Sequence, residues 1–238
     1  MTQPLKPRLS REDSRARTRA LLLGSARTVF SKHGYVGASI DEIAESAGFS
    51  KGAFYSNFST KEEIFLELLA VHMRDEAQML GEFLSRANNA QGVPELLKEI
   101  GDLYRLFETD VDWGLLVLEF NLQAGRDAKF FETFSKRFVD HRAKMADLVE
   151  GLFKLAGAKM PCSSLDLAIV LIAVSYGIPV QRLAFPASIP RGALGNTIEM
   201  LLASLLKAGM EPEKRPKSPA KKVAAPLKKT KATRAKPT

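Results

Sequence analysis

Residues 43–58 read Ile43-Ala44-Glu45-Ser46-Ala47-Gly48-Phe49-Ser50-Lys51-Gly52-Ala53-Phe54-Tyr55-Ser56-Asn57-Phe58. Two short helical runs meet across Gly48 in this stretch. The first starts at Ser39-Ile40-Asp41-Glu42, a capping-box pattern in which the Ser39 hydroxyl accepts near Glu42 and the Glu42 carboxylate reaches back to the cap amide. Ile40, Ile43, Ala44 and Ala47 give it one apolar side. The second begins after Ser50 and runs to about Tyr55, with Ala53, Phe54 and Phe58 available for packing. Short helices joined by a tight turn satisfy the geometry of a helix-turn-helix, whose second helix enters the DNA major groove. The exposed candidates on that helix are Ser50, Lys51, Gly52, Tyr55, Ser56 and Asn57, groups that are short or form hydrogen bonds. Spacing alone also admits an ordinary small helical subdomain.

Working outward, Leu22, Leu23, Ala26, Val29 and Phe30 recur at helical spacing between Arg15 and His33, and Gly34 supplies a stop. Downstream, Ser59 with Glu62 reads as a cap for the run Ile64, Phe65, Leu68, Leu69, His72 and Met73. The pattern then coarsens into helices near 93–108, 112–124, 127–155, 163–184 and 192–208, broken by Asn88, Asn89 and Gly92, by Gly125, by 157–164 and by 186–192. No strand pattern survives. The expected class is all-α: a tri-helical helix-turn-helix head joined to a larger helical bundle, about nine helices in total. The expected boundaries are a flexible basic arm at 1–14, the DNA-binding head at 15–60 with a connecting helix at about 60–86, a ligand-binding and dimerisation domain at 61–208, and a disordered tail at 209–238.

The tail explains the charge. Of 238 residues with a net charge of +8, positions 211–238 hold ten basic and two acidic residues, which leaves residues 1–210 balanced at 25 of each sign. With five prolines and almost no large apolar side chains, this segment cannot offset the entropy of ordering itself. Within the neutral body, residues 1–35 carry +6 and residues 36–70 carry −4. Arg8, Arg11, Arg15, Arg17 and Arg19 form a basic arm and helix start suited to flanking phosphates or a minor groove; solubility is the plainer reading.

A single cysteine, Cys162, excludes a disulfide framework and a cysteine-based zinc site. His33, His72 and His141 lie at spacings no short metal motif uses, so no metal or cofactor is expected. There is no paired carboxylate, cysteine–histidine arrangement or glycine-rich phosphate loop, so no enzyme is expected. The apolar run from Leu165 to Val174, flanked by Asp166, Gly177 and Pro179, reads as too short to span a membrane, and Met1–Ser14 has no apolar signal region. A cytoplasmic setting without membrane contact is expected.

Residues 15–65 resemble the DNA-binding domain of the TetR family of transcriptional regulators. The resemblance is carried by Ala26-Arg27-Thr28-Val29-Phe30, Gly34-Tyr35, the stretch 43–58, and Lys61-Glu62 with Phe65. It departs at Ser56, where many members have histidine, and at Asn57, where an aromatic or histidine is frequent. It implies that Ser50, Lys51 and Gly52 face the groove or nearby backbone, that Tyr55 reaches a phosphate or base edge, and that Ser39 and Lys61 grip phosphates. The remainder resembles the family only in helical layout.

In the body, the last two helices carry more apolar surface than a peripheral helix needs: Leu165, Ile169, Ile172 and Tyr176 on one, Leu194, Ile198, Leu201 and Leu205 on the other. The surplus suggests a subunit interface, although burial within one chain also accounts for it. The resemblance agrees with the first, implying a homodimer that presents two heads to a palindromic double-stranded DNA operator. Seven of fourteen phenylalanines fall in 107–153, and Tyr104, Phe107, Trp113, Leu116, Phe120, Phe134, Phe138 and His141 are candidates for lining an apolar pocket. The resemblance implies that an unidentified small-molecule effector in such a pocket releases a repressor from its operator. A nonspecific or architectural DNA binder dominated by the basic tail is the alternative.

Overall fold

The computed structural model describes residues 10–87 and 89–210, apart from the side chain of Thr133. The arm before Ser10 and the tail from Glu211 onward therefore lie outside the described residues. All regular structure among the described residues is helical: α1 (Arg11–Gly37), α2 (Ile40–Ser46), α3 (Lys51–Tyr55), α4 (Lys61–Arg86), a short 3-10 turn (Ala90–Gly92), α5 (Val93–Phe107), α6 (Val111–Arg126), α7 (Ala128–Ala156), α8 (Ser164–Ala184) and α9 (Ala193–Met210).

Local caps set these boundaries. α1 starts earlier than apolar spacing suggests because Ser10 and Asp13 form a reciprocal capping box: the Asp13 amide donates to Ser10 Oγ at 3.0 Å and the Ser10 amide to Asp13 Oδ2 at 3.3 Å. Residues 11–14 are thus helical and do not belong to a flexible arm. At Gly34 the backbone turns left-handed (φ 67°), and one further helical turn follows before Ala38. Ser39 caps α2 as expected, accepting from the Glu42 amide at 3.1 Å, but the Glu42 carboxylate pairs with His33 Nε2 at 2.8 Å instead of returning to the cap. The cap of α4 lies one residue later than expected. Thr60 accepts from the Glu63 amide at 3.0 Å, and the Ser59 amide donates to Glu63 Oε2 at 2.6 Å.

Two apolar clusters form the interior. The first joins Leu22, Phe30, Ile43, Phe54 and Phe58 of the head to Phe65 and Leu69 of α4 and on to Leu116, Phe120 and Phe134 of α6 and α7. The second lies within the body, where α5, α7, α8 and α9 pack through residues such as Leu96, Val149, Leu171 and Ile198. The head's core thus runs past residue 60 and into the bundle.

The structure corrects the reading of the apolar run at 165–174. α8 continues through Gly177 and Pro179 to 21 residues, and an 18-residue window within it has a mean hydropathy of 1.7, long and apolar enough to cross a membrane by length and composition alone. Only 28% of that apolar window is buried in the chain; residues 174–180 are half-buried and Leu165, Ile169 and Val170 are exposed.

α5 and α9 approach each other closely at glycine. A Cβ at Gly195 would collide with the Gly101 carbonyl oxygen and the Arg105 side chain, whereas one at Gly24, in the exposed middle of α1, would meet nothing within 4 Å. Gly195→Ala is therefore expected to cost about 1–3 kcal/mol through forced displacement of two packed helices. Gly24→Ala should instead gain about 0.5–1 kcal/mol by removing backbone freedom from a helix interior. Thermal midpoints of the two variants moving in opposite directions check both.

Candidate nucleic-acid interface and ligand cavity

The short α3 is held from below. Phe54 is fully buried, packed edge-on against Tyr55 with ring centroids 5.6 Å apart and against Phe58 at 5.8 Å. With Phe54 inward, Ser50, Lys51, Gly52 and Tyr55 face outward; Tyr55 is half exposed. Ser50 is the cap, its Oγ accepting from the Ala53 amide at 3.2 Å. Gly48 (φ 77°) makes the turn between α2 and α3, closed by the Phe49 amide donating to the Ala44 carbonyl at 2.9 Å. Lys51 Nζ donates to Asp41 Oδ2 of α2 at 2.9 Å, which holds its pKa above the usual lysine value. That exposed pair is weak enough for a phosphate to displace the carboxylate.

The remaining sequence candidates around α3 divide between surface and interior. Ser39 is exposed at the start of α2, and Ser56 is exposed with its hydroxyl donating to the Ala53 carbonyl at 2.8 Å. Arg15 lies across the end of α3, donating to the Ser56 carbonyl at 3.4 Å. Arg19 does the same more tightly, reaching the Asn57 carbonyl at 2.6 Å and stacking over the Phe58 ring at 4.0 Å. Asn57 does not face outward. α3 ends at Tyr55 and the chain turns under it, so Asn57 is 9% exposed with its Nδ2 on the Ala53 carbonyl at 2.9 Å. Lys61 is not a free point charge either. Its ammonium donates to the carbonyls of Tyr35 and Ala38, each at 2.8 Å, and of Val36 at 3.4 Å. These groups close the end of α1, where a cation is favoured by the helix dipole. Partial burial lowers the Lys61 pKa.

The body holds two adjoining cavities that share Tyr104. One is aliphatic, lined by Leu96, Ile100, Leu148, Leu152 and Leu202 among others, with a volume of ≈ 40 Å³. The other, also ≈ 40 Å³, lies between α4, α5, α6 and α8 and is bordered by His72, Glu76, Tyr104, Trp113 and Tyr176. Glu76 is buried, and the Tyr104 hydroxyl donates to its Oε1 at 2.9 Å. Burial pushes the Glu76 carboxyl up to about 7, against the opposing effect of that hydrogen bond. This folded value lies above the ordinary 4.5, so Glu76 favours the fold at acidic pH, and that contribution is lost as pH rises through about 7. His141 approaches the other oxygen at 3.5 Å, but burial lowers its pKa to about 4, as it does for His72. Both imidazoles are neutral at physiological pH. The Trp113 indole N–H is buried without an acceptor.

Of the sequence candidates for a pocket, Tyr104, Phe107 and Trp113 do border the polar cavity. Leu116, Phe120 and Phe134 do not: they pack into the core shared with the head, where Phe120 lies 5.2 Å from Phe65 and 4.1 Å from Phe134. Phe138 extends that stack at 5.1 Å from Phe134, and His141 faces a separate cleft with Arg137 and Lys144. The sequence reading missed Glu76, which falls on the apolar stripe Leu69, Met73, Leu80 of α4; an acid at that spacing was the available signal. Among the described residues no group of three or more His, Cys, Asp and Glu side chains is placed to hold a metal ion.

The subunit-interface candidates also divide. Leu165 and Ile169 are exposed and Tyr176, Leu201 and Leu205 half-buried, whereas Ile172, Leu194 and Ile198 are taken up inside the chain. Val170 and Met200 join the exposed apolar face. Glu108 orients these helices. Its buried carboxylate pairs with Arg182 of α8 and accepts from the amides of Gly192 at 3.2 Å and Leu194 at 3.0 Å, at the start of α9.

Residues 22–68 match the family model described as bacterial regulatory proteins, tetR family. The HTH-type transcriptional repressor AcnR of Corynebacterium glutamicum is 28% identical over 137 residues, 58% of this chain and 64% of the relative. The chain thus spans less than two thirds of the length of that relative. The HTH-type transcriptional activator FasR of Mycolicibacterium smegmatis is 42% identical over 66 residues, 28% of each chain. The solved structure of the regulator FadR from Bacillus subtilis, in complex with stearoyl-CoA, shares the fold with a TM-score of 0.62 at 17% identity, covering 78% of this chain and 97% of that one.

Replacing Glu108 by Ala leaves Arg182 without its buried partner and two α9 amides without an acceptor. The expected loss is about 3–5 kcal/mol, seen as an earlier unfolding midpoint in urea.

Proposed function

We propose for this chain, which belongs to the TetR family of transcriptional regulators, the role of a homodimeric repressor of a palindromic operator, released by a small, largely apolar ligand. The observation that carries the DNA-binding part is the outward face of α3. Ser50, Lys51, Gly52 and Tyr55 stand clear of the core on a helix that Phe54 anchors, the placement a groove-reading helix requires. The name repressor rests on the AcnR likeness, which spans 137 residues; the likeness to FasR, an activator, spans 66.

Dimerisation is supported by the exposed apolar side chains of α8 and α9, Leu165, Ile169, Val170 and Met200. A two-fold axis there would present two copies of α3 to half-sites about one helical turn, or ~34–36 Å, apart. Effector release is supported by how α6 is tied to α1 at its start and at its middle. Its first turn carries Trp113, which borders the polar cavity, and its cap Asp110 pairs with Arg27 of α1. Further along, Glu119 accepts from the Tyr35 amide at 2.6 Å. A ligand that displaces α6 therefore pulls on α1 and with it the head. Such coupling needs the ligand to bind the two arrangements with different affinity.

The tail-dominated alternative is separated from this reading by one set of measurements. On operator fragments recovered by mapping protected DNA near the gene, Tyr55→Ala should weaken operator binding by about 1–3 kcal/mol and binding to random duplex much less. Deleting residues 211–238 should weaken both and flatten the salt dependence. Loss of all sequence preference on that deletion would sink the regulator reading.

The dimer is tested separately. Ile169→Glu is expected to shift the protein to a monomer in sedimentation and to lower operator affinity while leaving its helical content unchanged. A monomeric wild type at micromolar concentration refutes the interface.

A further inference from the structure

We propose that the polar cavity between α4, α5, α6 and α8 binds a compact organic cation, whose ammonium group sits against the Glu76 carboxylate inside a wall of aromatic rings. This rests on the reading of the body cavities as the effector site and names the chemical class that the site takes.

The first support is an uncompensated carboxylate. Glu76 is buried, and its hydrogen-bond donor is the neutral Tyr104 hydroxyl. The titratable groups facing it are His72 from its own helix, Tyr104 from α5, Asp110 at the start of α6, His141 from α7 with Lys144 behind it, and Tyr176 from α8. Both histidines are held neutral, the tyrosines are held protonated by burial, and Lys144 lowers His141 further instead of reaching Glu76. The nearest arginine at the rim, Arg27, is already paired with Asp110. The cavity wall therefore includes two acids and no lysine or arginine. Burial of an ionised carboxylate without a cation is costly, and an uncharged occupant leaves that cost in place. An ammonium ion removes it. An anion, whether carboxylate or phosphate, meets the Glu76 charge and no free cation, since Arg27 at the rim is already paired with Asp110.

The second support is the wall itself. Trp113, Tyr104, Phe107 and Tyr176 surround the space; His72 lies tilted against Trp113 with centroids 4.5 Å apart, and the Arg27 guanidinium is 5.7 Å from the Trp113 ring at the rim. Ring faces are negative, and a cage of them with one carboxylate is how proteins hold quaternary and alkyl ammonium groups. The space, ≈ 40 Å³, accommodates about three water-sized groups, so the head is compact and a quaternary one enters only by displacing the wall. A third observation concerns polarity beyond the charge. The buried Trp113 indole N–H lacks an acceptor, which a hydroxyl on the ligand's short stem would supply. The adjoining aliphatic cavity beyond Tyr104 leaves room for an apolar substituent.

Trp113 is the only tryptophan in the chain, so its fluorescence reports on this cavity in the full-length protein. Choline is the probe, compared with its neutral isostere in which carbon replaces nitrogen, and with butyrate. The expected result is a saturable change with choline, at least about tenfold tighter than with either comparison compound. Choline affinity should rise about tenfold between about pH 6 and about pH 8 as Glu76 ionises, because only the ionised fraction is competent to bind. Glu76→Gln should abolish both the preference for charge and the pH dependence. If that variant does not fold, the comparison of choline with its isostere in the wild type still decides. Equal binding of the isostere, tighter binding of butyrate, or no response to millimolar choline at about pH 8 overturns the proposal. Choline bound without any change in operator affinity supports the cation site while removing the effector reading. Operator release by a neutral alkyl alcohol, with no response to choline, keeps the effector reading and overturns the cation site.

Discussion

A stack of phenylalanines crossing from head to bundle is the contact on which the rest of the molecule depends. Phe30 of α1 meets Phe65 of α4 edge-on at 4.9 Å, Phe65 stacks on Phe120 of α6 at 5.2 Å, and Phe120 meets Phe134 of α7 at 4.1 Å. A head of some fifty residues has a small interior and is marginal alone, and here its core is completed by the body's side chains. The consequence is mechanical as well as energetic. Close-packed interiors transmit displacement in place of absorbing it, so α3 is placed by the same rings that fix α6 and α7. Gly34 adds a second constraint. Its left-handed backbone lets Glu119 approach, and a Cβ there would lie 2.6 Å from Glu119 Oε1.

The positive charge of the first 35 residues is less available to a partner than its sum suggests. Arg19 is used at the end of α3, Arg27 on Asp110, and Arg15 in part on the Ser56 carbonyl. These groups bind α1 to its neighbours and so position the presented helix. What remains exposed is Arg11 and Arg17 on α1, together with Lys51 of α3, which is held by a solvent-exposed carboxylate. Phosphate attraction in the proposed complex therefore depends on few free cations in the head, and the basic residues at 211–238 supply charge that the balanced body lacks.

Helix identity was legible because apolar spacing and caps are local. Ser39 and Ser50 cap where their hydroxyls suggest, and every long helix lies within a few residues of its expected span. Side-chain direction was less legible where it depends on distant chain. Lys61 turns inward because the carbonyls at the end of α1, 23 to 26 residues earlier, come within reach. Asn57 is buried because the chain turns under α3 after Tyr55 and brings its side-chain amide onto the Ala53 carbonyl, a direction that helix spacing does not fix. On α8, apolar residues occupy nearly the whole circumference, so the sequence left the inward side open, and packing against α7 and α9 selects Leu167, Ala168, Leu171 and Ile172. The aromatic cluster at 107–153 misled for a related reason. Side chains that could line a cavity can equally fill a core: Leu116, Phe120 and Phe134 pack into the one shared with the head, where Leu116 and Phe120 border only a small gap.

The same distinction locates where chemistry and mechanics meet in the proposed regulator. A cavity walled only by aliphatic groups distinguishes ligands weakly, since each methylene contributes about 0.8 kcal/mol whatever its origin. Discrimination requires a buried polar group whose satisfaction depends on the right partner. Glu76 is such a group, and the wall opposite it is formed by the first turn of α6. That turn is capped by Asp110, which accepts from the Trp113 amide at 3.1 Å and pairs with Arg27 of α1. The ring that a ligand would touch and the carboxylate that anchors the head are therefore three residues apart on one helical turn. A shift too small to disturb the phenylalanine stack can still alter the pull on α1, because the ion pair and the cavity wall move as one rigid piece.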